Sequence, residues 1–354
     1  MTAVRVDLGS LEQFCMTALR ACGVDEPTQT ATTRSILHGS LHGVDSHGVR
    51  LLPHYIRVFE NGRLNKAPRL RFERKKAGTG ILDADHAQGA RAMYAAMDHA
   101  VELAQEAGIA AVAVQNSSHF GPAGAYSVHA AAQGMIGISF GNSDPYVRLH
   151  DGAERFHGTN PISIAVPTGG ANPWLLDMAT SSVPLNRIEL YASLGVEVPD
   201  DVASDAFGRP TNDPNAVSML APVGGAFGFK GAALGGVAEI FSTIFSDMRL
   251  SIEIPVMGDM SVTDPRIMGA FVIAIDPDGF VGRITAQLIM DRYLTHLRGS
   301  KPQAGKTVMA PGDREWAEAA ERRKRGIPLD PVTVTGFRDI CDRYDVAFPT
   351  RVEL

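Results

Sequence analysis

The sequence predicts an α/β fold, a core of strands and crossover helices held between two helical chain ends. Three observations predict it. Capped runs with helical periodicity fill residues 1–75. Apolar runs of strand length alternate with small-residue helices from about Ala87 to Met178. Past Val281 the chain returns to helix. At 354 residues, 45% hydrophobic and 20% charged, the chain is long enough for two domains and a substantial buried core.

Ser10 and Gln13 read as a capping box for a first helix, in which Leu11, Phe14, Cys15, Ala18 and Leu19 recur at helical spacing up to Gly23. Asp25 and Pro27 open a second helix through Ile36, Leu37 and Leu41, and a third runs from about Pro53 to the stop signal Asn61-Gly62. Ala87 to Ala107 is an Ala-rich helix ended by Gly108. The apolar run "IAAVAVQNSSHFGP", a helix from about Ala123 to Gln133, and a second run "MIGISFGNSDP" then form a strand–helix–strand unit, expected to be parallel. "GTNPISIAV", "WLLDMATS" and "GAFVIAIDP" are further strands. A helix reaching about Phe245 follows the glycine-rich "GGAFGFKGAALGG". Ligands of parallel sheets sit beyond the carboxyl ends of the strands, so "NSSHFG" and "GNSDP" should face one crevice. The two helical ends are expected to pack together.

Composition excludes several classes of function. The formal net charge is -6 with acids and bases mixed, and no basic stripe suited to nucleic acid is present. The basic run "ERRKRG", Glu321 to Gly326, reads as a solvated helix end. No apolar run is long enough to span a bilayer and no signal peptide opens the chain, so a cytoplasmic protein with no membrane partner is expected. Cys15, Cys22 and Cys341 have no metal-ligand spacing and read as free thiols.

No GxGxxG follows a strand, and no P-loop, GxSxG elbow, HExxH or CxxC occurs. His38, His42 and His47 invite a metal reading, but the third offset is wrong for one helical face and no carboxylate stands at a diagnostic spacing, so no metal is expected. His47 lies among Asp45, Ser46, Gly48 and Arg50, where Asp45 would orient the ring or raise its pKa. His119 falls at a strand end facing the crevice, and Asp177 follows the apolar "PWLL". A buried carboxylate needs a partner, and two histidines with one acid suit proton transfer near neutral pH. A capping aspartate with two surface histidines fits the same peptides equally well. Lys230 sits where a helix begins after glycines, a setting for an anion or simply for a tight packing turn.

Eight peptides, "DSHGVR", "NSSHFGPAGAYS", "SDP", "GTNPISIAVP", "LLDMATSS", "GFKGAAL", "APGDRE" and "RRKRGIPLD", in that order and over nearly the whole chain, resemble the malate/L-lactate dehydrogenase family of the second type. That family also holds ureidoglycolate and sulfolactate dehydrogenases, diketogulonate reductase and the Δ1-piperideine-2-carboxylate reductases. The resemblance implies a homodimeric oxidoreductase using NAD or NADP on a non-Rossmann mixed sheet, which would explain the missing GxGxxG. It implies a discontinuous helical domain, 1–75 with 296–354, around an α/β cofactor domain, 76–295. It makes His47 the acid/base, Asp177 its hydrogen-bonding partner, and His119 the proton acceptor of some members. Ser143, the run Asp177, Met178, Ala179, Thr180 and Ser181, then Lys230, Gly312, Asp313 and Arg314 match cofactor-contacting positions, and Thr159 and Asn160 the substrate side.

The implied reaction interconverts a 2-oxo acid and a 2-hydroxy acid by hydride transfer, with a protonated His47 neutralising the carbonyl oxygen on reduction. Arg50 is the nearby fork suited to the substrate carboxylate. Reduction of a cyclic imine carboxylate is the alternative. Two departures mark this chain. "SSVPLNR", with Pro184 and Asn186, stands where many members read "SSVARGK", and the glycine segment before Lys230 is about three residues longer than the usual form.

Overall fold

A computed structural model describes residues 4–257 and 262–352. A short strand, β1 (Val4–Val6), precedes α1 (Leu8–Ala21), α2 (Glu26–Leu41) and α3 (Leu52–Glu60). The first two helices start on aspartates. Asp7 accepts from the Ser10 N–H (2.8 Å) and Asp25 from the Thr28 N–H (3.1 Å), the bonds that satisfy otherwise orphaned donors of a first turn. The cap of α1 is therefore Asp7 and not Ser10, whose hydroxyl instead contacts Thr350 near the other chain end.

The hairpin β2 (Arg71–Lys76) and β3 (Thr79–Asp83) leads to α4 (Gly89–Ala107), β4 (Ile109–Ser117), α5 (Gly124–Ala131) and β5 (Ile136–Gly141). Two short strands, β6 (Val147–Arg148) and β7 (Arg155–His157), come before β8 (Ile162–Val166) and β9 (Trp174–Met178). Then follow α6 (Leu185–Leu194), β10 (Ala203–Ser204), β11 (Met219–Leu220), α7 (Gly228–Thr243) and β12 (Met268–Ile275). The chain closes with α8 (Arg283–Arg298), α9 (Asp313–Arg325), β13 (Ile327–Leu329) and α10 (Pro331–Tyr344).

Seven strands form a mixed sheet in the order β2-β3-β4-β12-β5-β8-β9. Only β3 and β4, joined through α4, pair in parallel. The expected strand–helix–strand unit of β4, α5 and β5 does keep its two strands pointing one way, but they are not neighbours. β12 lies between them, antiparallel to both. The reason is its composition. "MGAFVIAI" is apolar on both faces and nearly buried throughout, so it is stable only where helices cover both sides. Alternate residues serve the two faces. Ala110, Val112, Val114, Ala270, Val272 and Ala274 pack with α4 and α5, while Ala113, Phe140 and Phe271 pack under Ala238 of α7.

A four-stranded sheet, β10-β11-β6-β7, holds α6 through Val147, Ile188, Val198, Ala203 and Leu220. The two chain ends share another apolar cluster, in which Leu11, Phe14, Ile36 and Leu52 meet Phe337 and Ile340, and β1 pairs with β13.

Candidate active site

His47 is placed by a turn folded back on the helix before it. Past α2 the chain reverses at Gly43 (φ +80°), and Asp45–His47 form one tight turn against the last turns of that helix. Two glycines permit the approach. A Cβ on Gly39 would stand 2.5 Å from the His47 carbonyl oxygen, and one on Gly48 would stand 2.9 Å from the Ser40 backbone nitrogen. The Ser40 hydroxyl accepts from the Val49 N–H at 2.9 Å, pinning the turn. Asp45 does not steer the His47 ring. It takes two bonds from Arg322 of α9, 2.5 and 2.9 Å long, and so ties the turn to the far end of the chain. The neighbour of His47 Nδ1 is the Ser46 hydroxyl, at 2.9 Å. Behind the ring, His119 stacks at a centroid distance of 5.7 Å, with its own Nδ1 2.8 Å from the buried Tyr55 hydroxyl.

Asp177 arrives from β9. Its Oδ2 accepts from the Gly124 N–H at 2.9 Å, the first residue of α5, and a Cβ there would come within 2.6 Å of that oxygen. His47 and Asp177 line one cavity of about 180 Å³, together with Ser46, Thr159, Met178 and Ala179. They face the same space without bonding to each other. Burial dominates both titrations, in opposite senses. It pushes the Asp177 carboxyl up to about 6, aided by the charge of Glu315 and opposed by the Gly124 N–H. It pushes His47 down to about 4, which favours the neutral ring. His119 is depressed as well, by burial and by the neighbouring His47.

Thr159 donates its N–H to the Ser143 hydroxyl (3.1 Å), and Thr180 donates its hydroxyl to the Thr159 carbonyl (3.2 Å). Ser181 bonds the Val183 carbonyl at 2.9 Å. Asn160 does not reach the cavity. Its side chain is fully buried at a positive φ of 37°, donating to Gly235 O (3.1 Å) and to Glu239 Oε2 (2.8 Å). Glu239, which sequence reasoning missed, also takes the N–H of Ser251 at 2.6 Å and its hydroxyl at 2.5 Å. Its one signal was an acid within the apolar "GGVAEIF".

Two more cavities adjoin. Asp177 also borders a space of about 340 Å³ lined by Thr307, Met309, Gly312 and Arg314. Gly312 (φ +95°) starts α9, and no side chain caps the first N–H groups of that helix, which leaves donors and a favourable dipole for an anion. Asp313 turns aside to Arg298 at 2.7 Å. On the other side, Val44, Ser46 and Pro184 are shared with a larger cavity of about 590 Å³ lined by Asp45, Arg50, Arg187, Glu189 and Asp330. Arg50 belongs to this outer space and is paired with Asp330 Oδ1 at 2.9 Å. Lys230 lines none of the three. It is exposed in the first turn of α7, with its ammonium 5.4 Å from the Phe227 ring centre. The Asn186 side chain lies outside the described residues. Among the described residues no group of three or more His, Cys, Asp and Glu is arranged to hold a metal, and no helix is long and apolar enough to cross a membrane.

Comparison with known proteins places the chain in a family. A sequence model of the malate/L-lactate dehydrogenase family matches residues 6–337. The chain is 32% identical over 351 residues to a malate dehydrogenase of Pyrococcus abyssi, covering 97% of this chain and 96% of that one. It is 30% identical over 332 residues to a (2R)-3-sulfolactate dehydrogenase (NADP(+)) of Chromohalobacter salexigens, covering 92% and 94%. The crystal structure of malate dehydrogenase from Entamoeba histolytica superposes with a TM-score of 0.92 at 29% identity, covering 98% of this chain and all of that one. The chain belongs to the malate/L-lactate dehydrogenase family and is an NAD(P)-dependent oxidoreductase of the hydroxy acid dehydrogenase type.

Proposed function

We propose that the protein reversibly oxidises a small 2-hydroxy acid to its 2-oxo acid, with His47 as the acid/base and Asp177 as the carboxylate that supports it. One observation carries this reading: a helical turn and a sheet strand bring an imidazole and a carboxylate into a single cavity of about 180 Å³. That space suits a small acid or one aromatic ring but not a whole dinucleotide, which needs the adjoining room. The residues there fit one. The uncapped start of α9, with Gly312 and Arg314, offers donors and charge to a diphosphate, and Met178 and Ala179 line the wall beside Asp177. The nicotinamide, when bound, supplies the hydride acceptor; NAD and NADP both remain in the proposal.

The protein's own part is proton handling. A neutral His47, with Ser46 against Nδ1, leaves Nε2 to take the hydroxyl proton of the substrate. Asp177, ionised above about pH 6, stabilises the imidazolium that forms. Such a base contributes about 10²–10⁴-fold. His119 backs the ring, and Thr159 presents its side chain to the substrate. Malate and sulfolactate, named in the relatives, are the first substrates to try.

The same reading takes residues 76–295 as the cofactor domain, of non-Rossmann type, and 1–75 with 296–354 as one helical domain, supported by the cluster the two ends share. It takes the working form as a cytoplasmic homodimer. Leu234, Val237, Ile240, Ile244 and Phe245 leave an exposed apolar stripe on and just past α7, the kind of surface a second copy covers.

The test is fluorescence titration with NADH and NADPH, then assay of malate, lactate, sulfolactate and ureidoglycolate beside Δ1-piperideine-2-carboxylate, with the oligomer read by light scattering. Nicotinamide binding and 2-hydroxy acid oxidation by a dimer are expected. Turnover of the imine alone would overturn the hydroxy acid assignment, and absence of nicotinamide binding would overturn the whole reading.

A further inference from the structure

His47 and Asp177 line one cavity without a bond between them, so their separation is set by the elements that carry them. One helix, α9, is fastened to both carriers. At its start Trp316 donates its indole N–H to the Pro173 carbonyl at 3.0 Å, just ahead of β9. The Pro311 carbonyl, shortly before α9, accepts from the Leu175 N–H of that strand at 3.3 Å. Trp316 also packs on the apolar cluster of Ala131, Ala165 and Leu175. Asp177 lies two residues further along the strand.

Six residues on, about 9 Å along the axis, Arg322 meets the turn that carries His47. Its Nη1 donates to the Ser40 carbonyl at 2.6 Å and to Asp45 Oδ1 at 2.5 Å, and its Nη2 to Asp45 Oδ2 at 2.9 Å. Its Nε donates to Glu318 Oε1 at 2.5 Å. Of the four bases in "ERRKRG" Arg322 alone is buried, against the expectation of a wholly solvated helix end. Ser40 belongs to the last turn of α2, where carbonyls have no partner within the helix, and its hydroxyl holds the Val49 N–H. The chain is thus gripped on both sides of His47, at Asp45 by Arg322 and at Val49 by Ser40, and Arg322 secures Ser40 as well. Asp45 and Glu318 are half-exposed, and an arginine withdrawn from water to meet such acids returns little net stability. What the fork adds is orientation, since its parallel bonds fix the plane of one carboxylate.

We propose that Arg322 is a positioning residue of the reaction. It clamps the His47 turn to α9, whose other end is fastened to β9, and so sets the distance at which imidazole and carboxylate face the substrate. This rests on the reading of His47 as the acid/base. Arg322 lines none of the three cavities, so it acts through the turn and not by contact with substrate or cofactor. Without the clamp the turn drifts while Trp316 keeps the start of α9, and the cofactor wall there, in place.

The experiment compares the full-length wild type with Arg322→Met, Arg322→Lys, Asp45→Asn, His47→Asn and the exposed control Arg325→Met. Nicotinamide sites are counted by fluorescence titration, and kcat per site, KM and the thermal midpoint are measured with the 2-hydroxy acid that the wild type oxidises fastest. Arg322→Met is expected to lower kcat per site about 10²-fold, the cost of a small misplacement, with KM and nicotinamide affinity changed little. Arg322→Lys keeps the charge without the fork and should recover part of the loss. Asp45→Asn leaves the arginine its Glu318 partner and serves should Arg322→Met fail to fold; it should lower kcat per site about tenfold. Arg325→Met should match the wild type. A lower thermal midpoint or fewer nicotinamide sites with kcat per site unchanged, in Arg322→Met or in Asp45→Asn, overturns this inference and leaves the dehydrogenase reading standing. Full turnover by His47→Asn, or a wild type that oxidises no 2-hydroxy acid, overturns both.

Discussion

His47 and Asp177 are held against their habits in water, and the pH dependence of the enzyme should show it. An imidazole pushed down to about 4 beside a carboxyl pushed up to about 6 leaves the acid as the group that ionises last before neutrality. The activity of the pair should follow its macroscopic titrations, with kcat/KM for oxidation rising with pH along an acid limb near 6 and flat above it. Asp177→Asn should lose that limb and most of its activity, and His47→Asn should lower kcat by about 10²–10⁴-fold. Stability runs the other way. A carboxyl whose folded pKa lies above its unfolded value near 3.8 favours folding below that pH, and the advantage is lost as pH rises through about 6. Asp177→Asn, which keeps an acceptor for the Gly124 N–H, should therefore melt a few degrees higher than wild type at pH 7.5 and equally at pH 4, read by scanning calorimetry.

At the level of elements, the site depends on how closely helices approach the turn and the strand that carry its chemistry. The start of α5 touches Asp177 with no atom to spare, so Gly124→Ala must push the carboxylate aside while leaving a good helix former in a helix. We expect kcat/KM to fall about 10²-fold, since small misplacements are that costly, with the circular dichroism spectrum unchanged. Such contacts mark the limit of what the sequence discloses. The Asp25 cap and Pro27 located α2, and apolar patterning located α3, α4, β4, β5, β8, β9 and β12. The β2–β3 hairpin escaped because "RFERKK" is an exposed, charged edge with no apolar alternation. Likewise, α6 escaped although Pro184 precedes it and Gly195, at a φ of +63°, ends it. His47, His119 and Asp177 stood out as chemistry-bearing residues, but their meeting in one place depends on packing between distant segments. That Asp45 would choose Arg322, and that Asn160 would turn inward to Glu239, are choices among partners that only the folded chain offers.

For the molecule as a whole, neutral histidines set the acid limit. His38, His42, His47, His54, His119 and His157 all titrate below their usual 6.5, burial being the first cause in each. Between pH 6.5 and 4 the unfolded chain binds protons that the folded one refuses, so stability present above 6.5 is lost as pH falls. Asp177, whose carboxyl is pushed up by burial, opposes this. The melting temperature should therefore drop steadily from pH 6.5 to 4.5, with net proton uptake on unfolding at pH 5.5, measured by calorimetry in buffers of differing ionisation heat. A rise in melting temperature over that range would contradict the burial of these rings. Finally, the position of β12 fixes the order in which the molecule can be made. Its two neighbours leave the ribosome long before residues 268–275 exist, and until then both wait with open, unpaired edges. The middle of the sheet is finished only when about three-quarters of the chain has been translated, so an arrested or shortened product is a sticky fragment with no centre.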